Sequence, residues 1–177
     1  MFGCLNTAAV VKYVRWLSIS ALAAMAALVP TVGRAATVTT TFTVQITITN
    51  ACTIVSATNM NFGSVGVIGA SGVDATSTIT VQCTQSAPYT IGLSAGAGSG
   101  ATVASRLMTS GASNTVGYSL YQDVGHSLVW GTTIGTNTVA GTGSGASQAI
   151  TVYGHVASQS TPPAAVYNDT ITVTVTY

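Results

Sequence analysis

The sequence predicts an all-β sandwich in one domain, on three observations. Beyond Ala35 no stretch shows the 3.6-residue hydrophobic period of a helix, and Glu, Lys and Leu, which commonly fill helices, are scarce. Thr and Val, which suit strands, are abundant, as are Gly and Ser, which suit turns. Short alternating runs follow one another at close spacing between Gly-rich breaks, as in a sandwich or barrel. A length of 177 residues fits one domain, and no internal repeat or linker divides it.

The first alternating run is Thr37–Asn50. Val38, Thr40, Phe42, Val44, Ile46 and Ile48 share one face, and only Thr40 among them is polar. Thr37, Thr39, Thr41, Thr43, Gln45, Thr47 and Thr49 share the other, the two-residue period of a half-buried strand. At about 3.3 Å per residue it could reach roughly 45 Å, far beyond an ordinary strand.

Cys52–Phe62 should hold one or two short strands, closing at Gly63. Ser77–Gln85 alternates through Ile79, Val81 and Cys83, and Tyr89–Ser94 reads as another strand. Thr115–Gln122 places Val116, Tyr118 and Leu120 on one face. Ser127–Trp130 is a short strand, and Gly141–Ser147 reads as a loop. Gln148–Val156 and Val166–Tyr177 are the last two strands; in the final one Ile171, Val173, Val175 and Tyr177 alternate with Thr.

The N-terminus reads as an export signal. Lys12 and Arg15 precede the mostly apolar run Trp16–Val29, which is short for a membrane span, and Pro30 closes it. Cleavage after Ala35 puts Gly33 and Ala35 at the two positions that need small side chains. Stable membrane insertion is not expected. Without residues 1–35, Arg106 is the sole Lys or Arg, set against Asp74, Asp123 and Asp169. So nearly uncharged a chain lacks the basic face of a nucleic-acid binder. Cys52 and Cys83 remain, and an even pair in an exported chain reads as one disulfide.

Chemistry is sparse. Gly92-Leu93-Ser94-Ala95-Gly96 fits the G-x-S-x-G pattern, with Asp123 and then His126 or His155 following. That chemistry needs a helix after the nucleophile, and no helical pattern follows Ser94. His126 and His155 are far apart with no ligand spacing, and the three Asp are scattered near turns. No catalytic residue, metal site or cofactor is therefore expected. Trp130 and the tyrosines suit a core better than a sugar site, which leaves a monomeric, lectin-like exported module as the alternative function.

The strongest functional signal is the unprotected first run. It lacks the Lys, Glu or Pro that blunt a strand prone to pair with other chains. It is either a central strand of its own sandwich or a strand lent to a neighbour.

Beyond Ala35 the sequence resembles the spore coat protein U-like pilins of archaic chaperone–usher pili. The resemblance rests on the order and spacing of many short pieces. These are Cys52, Asn61-Phe62-Gly63, Thr80-Val81-Gln82-Cys83, Tyr89-Thr90-Ile91-Gly92-Leu93-Ser94 and Arg106-Leu107-Met108. Gly117-Tyr118-Ser119-Leu120-Tyr121, Trp130-Gly131, Thr151-Val152-Tyr153-Gly154, Tyr167-Asn168-Asp169-Thr170 and Thr174-Val175-Thr176-Tyr177 complete them. The resemblance implies an incomplete immunoglobulin-like sandwich completed by a neighbour's donor strand. It implies a layout of signal peptide 1–35, donor strand 36–50 and pilin domain 51–177. Val38, Thr40, Phe42, Val44, Ile46 and Ile48 would form the donor face. Ile171, Val173, Val175 and Tyr177 would border the acceptor groove and pair with a chaperone. Its partners would be a periplasmic chaperone, an outer-membrane usher and copies of itself or related pilins. The product would be a surface fimbria serving adhesion and biofilm formation, with this chain as a major or minor shaft subunit.

Overall fold

The computed structural model describes residues 33–111 and 114–177, so the expected signal segment lies outside the described residues except for 33–35. Among the described residues there is no helix, and hence none long and apolar enough to cross a membrane. Eight strands form: β1 (Cys52–Ala57), β2 (Val73–Cys83), β3 (Pro88–Leu93), β4 (Arg106–Thr109), β5 (Thr115–Tyr121), β6 (Val139–Thr142), β7 (Ser147–Val156) and β8 (Val173–Thr176). One sheet has the order β1-β2-β7-β5-β4 and the other β6-β3-β8. All pairings are antiparallel. The fold is an all-β, immunoglobulin-like sandwich.

Alternation builds the core. Ile79, Val81 and Cys83 of β2, Val116, Tyr118 and Leu120 of β5, and Val152 and Val156 of β7 are buried from one sheet. Tyr89, Ile91 and Leu93 of β3 are buried from the other. Trp130 is fully buried and donates its indole N–H to Ile91 O at 2.8 Å, so it is a core residue with its polar atom satisfied.

Several expected elements change. Ser127–Trp130 forms only an isolated bridge, Tyr121 to Val129. The strand expected over Cys52–Phe62 ends at Ala57, after a register shift between Ile54 and Ser56. Beyond it, Met60 and Phe62 pack over Gly154, where any Cβ would run into both. Within the expected loop Gly141–Ser147, Gly141 and Thr142 belong to β6. Gly141 is the register partner of Tyr89, whose ring occupies the space of the missing side chain. The strand expected over Val166–Tyr177 is regular only over Val173–Thr176, because the preceding residues serve as side-chain and loop anchors.

The chain divides into residues up to Val44 and a larger unit, Gln45–Tyr177. Residues 33–51 enter neither sheet, so the reading of Thr37–Asn50 as a central strand of its own sandwich fails.

Candidate assembly interface

The two sheets each end on an open edge at the same place. Among the described residues β1 pairs only with β2, and β8 only with β3. β1 and β8 nevertheless approach one another across the two sheets. Each therefore presents unpaired backbone N–H and C=O groups toward one gap. Apolar side chains of the two edge strands are incompletely covered. Ile54 and Val55 of β1 are exposed, and Val173 and Val175 of β8 are half-buried against the core.

Of the residues expected to border an acceptor groove, Ile171, Val173 and Val175 pack on the rim of the core, while Tyr177 is exposed. The expected donor face is solvent-facing. Val38, Phe42, Val44, Ile46 and Ile48 are 95, 86, 83, 82 and 69% exposed, and Thr40 is exposed as well. Five large apolar side chains on one face, with no strand partner among the described residues, form a surface that soluble proteins ordinarily cover.

Cys52 and Cys83 form a disulfide, as the sequence indicates. They are register partners on β1 and β2, so the bond ties the edge strand to the sheet beside the gap. Thr84 reinforces the tie, accepting from Ala51 N at 3.1 Å and donating to Thr49 O at 3.2 Å.

A buried polar network fixes the approach to β8. Arg106 is fully buried and donates to Ser94 O, Val103 O, Leu93 O and Trp130 O at 2.6–3.1 Å. Burial lowers the guanidinium pKa below its ordinary value, while Tyr118 and Asp169 act on it in the opposite direction. Tyr118 donates its hydroxyl to Asp169 Oδ2 at 2.7 Å, and Asp169 Oδ1 accepts from Ala97 N and Thr170 N, both at 2.7 Å. Thr109 and Asn168 exchange backbone bonds. Residues 168–172 are thus held before the chain enters β8. The sequence signal for this network was a cation in a chain with only four Lys and Arg, whose burial alternation alone does not reveal.

Ser94 has a backbone role. Its hydroxyl accepts from Thr172 N at 2.9 Å and Gly96 N at 3.3 Å, so it joins the end of β3 to the entry of β8. The two histidines, far apart in sequence and without ligand spacing, are neighbours in the fold: the His126 and His155 rings stack with centroids 4.8 Å apart. Asp74, expected near a turn, lies on β2 and meets His155 Nδ1 at 2.5 Å.

The sequence matches the Spore Coat Protein U domain over residues 38–174. It is 36% identical over 173 residues to Protein U of Myxococcus xanthus, covering 90% of this chain and 95% of that protein. In fold it is similar to a chain of the CsuC–CsuE chaperone–tip adhesion subunit pre-assembly complex from archaic chaperone-usher Csu pili of Acinetobacter baumannii. That match has a TM-score of 0.53 and 21% identity, and spans 74% of this chain but only 40% of the solved one. At that identity the likeness concerns the fold. On the extent of the domain match and the identity to Protein U, the chain belongs to the Spore Coat Protein U domain family.

Proposed function

We propose that this chain is a structural pilus subunit that polymerises by lending residues 36–50 to the open edge of the next copy. The observation that carries the reading is the coexistence of two unpaired features. The segment holding Val38, Phe42, Val44, Ile46 and Ile48 has an exposed apolar face and no strand partner among the described residues. The sandwich has two adjacent edges, β1 and β8, with free backbone groups and incompletely covered apolar residues. A strand inserted there would pair on both sides and seat its apolar face over the core. Burying five such side chains contributes about 1.5–3 kcal/mol each, on the order of 10 kcal/mol before ordering costs. Membership of the Spore Coat Protein U family and the fold shared with an archaic pilus complex support the reading.

On this reading residues 1–35 direct export and are removed. A periplasmic chaperone occupies the open edge until an outer-membrane usher exchanges it for the next subunit's strand. The fibre stands on the cell surface and supports attachment and biofilm formation. The chemistry is assembly rather than catalysis.

The test moves the strand. Residues 37–50 are cut from their place and attached after Tyr177 through a flexible Gly/Ser linker. The chain should then complete itself, stay monomeric in gel filtration, and melt well above the strandless form. Fibres as abundant as the parent's would show that this strand is not the joint. A monomer peak from the unaltered mature chain would favour the lectin-like module instead.

A further inference from the structure

We propose that Asp74, His126 and His155 form a surface site for a divalent transition metal of the Zn2+ class. Sequence spacing hides the cluster, because three separate elements supply it. Asp74 on β2 and His155 on β7 are register partners in one sheet. Both lie on its outer face, opposite the buried Val152, Gly154 and Val156. His126 comes from the turn after β5 and stacks on His155 with the rings inclined 30°. Asp74 Oδ1 stands 2.5 Å from His155 Nδ1 and 3.8 Å from His126 Nε2. One ligand atom from each residue lies within 4.8 Å of the others.

The ligands sit on prepared elements. His126 adopts a left-handed backbone, φ 53°, which is uncommon for a non-glycine residue though less so for His than for most. Asp123 braces the turn, accepting from Leu128 N at 2.8 Å and from Ser127 Oγ at 2.8 Å, while His126 N donates to Asp123 O at 3.2 Å. The His155 ring occupies the space a side chain at position 72 would fill. Gly72, at φ +71°, brings its backbone against the ring, and a Cβ there would come within 2.8 Å of Cε1 and 3.2 Å of Nε2. This leaves Nδ1 as the atom directed at Asp74.

Two imidazoles and one carboxylate match the donors that zinc takes when three protein ligands leave a fourth position open. Tetrahedral bonds of about 2.0–2.1 Å separate ligand atoms by roughly 3.3 Å. The Asp74–His155 pair must open by under 1 Å, and the widest separation among the three ligand atoms, up to 4.8 Å, must close by as much as about 1.5 Å, for which the exposed Asp74 side chain has room to move. The fourth position would face solvent and hold water or an external donor.

The test uses the exported protein as purified, stripped with EDTA and dialysed against ZnCl2 alone. Metal analysis should find one Zn2+ per chain, and Zn2+ should raise the unfolding temperature. Co2+ in its place should give the visible d–d bands of a four-coordinate site. His126→Ala, in an exposed turn, should weaken binding about tenfold or more with the fold intact. His155→Ala should do the same, and Thr151→Ala, on the same face of β7, should not. Absence of saturable binding would overturn the proposal, as would binding that survives both histidine substitutions.

Discussion

Tyr118 of β5 donates its hydroxyl to Asp169 at 2.7 Å, joining one sheet to the segment that leads into the edge strand of the other. Burial first, and then this bond, raise the phenol pKa well above its ordinary value.

The first prediction follows from that shift. A raised folded pKa means a stabilising contribution that is complete below the unfolded value, near 10, and is lost as pH rises above it. Tyr118→Phe should cost about 1.5–3 kcal/mol at neutral pH, since the bond has a charged acceptor. The gap between wild type and variant should narrow above pH ~10. Urea unfolding of the strand-completed protein at several pH values measures both; a gap constant with pH would refute the assignment.

The second prediction concerns Arg106. Its four carbonyl partners converge on a planar fork, a geometry that Lys cannot reproduce. Arg106→Leu leaves those carbonyls buried without a donor and should cost on the order of 3–5 kcal/mol. Arg106→Lys should recover only a minor part. Rescue by Lys to near wild-type stability would mean that charge matters here rather than the fork.

The third prediction concerns the Cys52–Cys83 bond. It closes a loop with a sequence separation of 31, worth roughly 3–4 kcal/mol in the chain-entropy model. It also tethers β1, one wall of the gap. Cys52→Ser should therefore lower both the yield of folded subunit and the fraction that assembles. Native mass spectrometry of the exported protein should show both thiols oxidised.

These features differ in how far the sequence reveals them. β2, β5 and β7 bury one face more deeply than the other, so Ile79-x-Val81-x-Cys83 or Val116-x-Tyr118-x-Leu120 suffices to find them, while β3 is a short apolar run buried on both faces at its end. β4 and β6 were missed because four residues are too few for a period. Moreover, β4 begins with Arg106 and β6 contains Gly141. The disulfide was legible from cysteine count and the expected export. The Asp74–His155 pair was not, since its partners are 81 residues apart and only the β2–β7 register joins them. His126 needed knowledge of a turn whose conformation Asp123 sets. Arg106 stands out as one of only four Lys and Arg in the sequence, but its four acceptors are backbone oxygens and leave no mark in composition.

The last prediction separates the two faces of the N-terminal segment. Both are exposed in the single chain, so solubility alone gives neither a reason to be apolar. If the segment inserts between β1 and β8 of a neighbour, the Phe42 and Ile46 face enters a core and the Thr41 and Thr43 face does not. A one-residue slip would turn threonines inward, so the apolar face also sets register. Phe42→Asp or Ile46→Asp would bury an unpaired charge, a cost that cancels most of the roughly 10 kcal/mol from apolar burial. Fibres should disappear while the sandwich itself, built from Cys52 onward, keeps its fold when strand-completed by a wild-type segment. Thr41→Asp or Thr43→Asp should leave fibres present, though fewer. Electron microscopy of cells producing each variant, with the exported subunit quantified in parallel, reads the contrast. Equal loss from substitutions on both faces would indicate that the segment acts through its charge or its export, and not as an inserted strand.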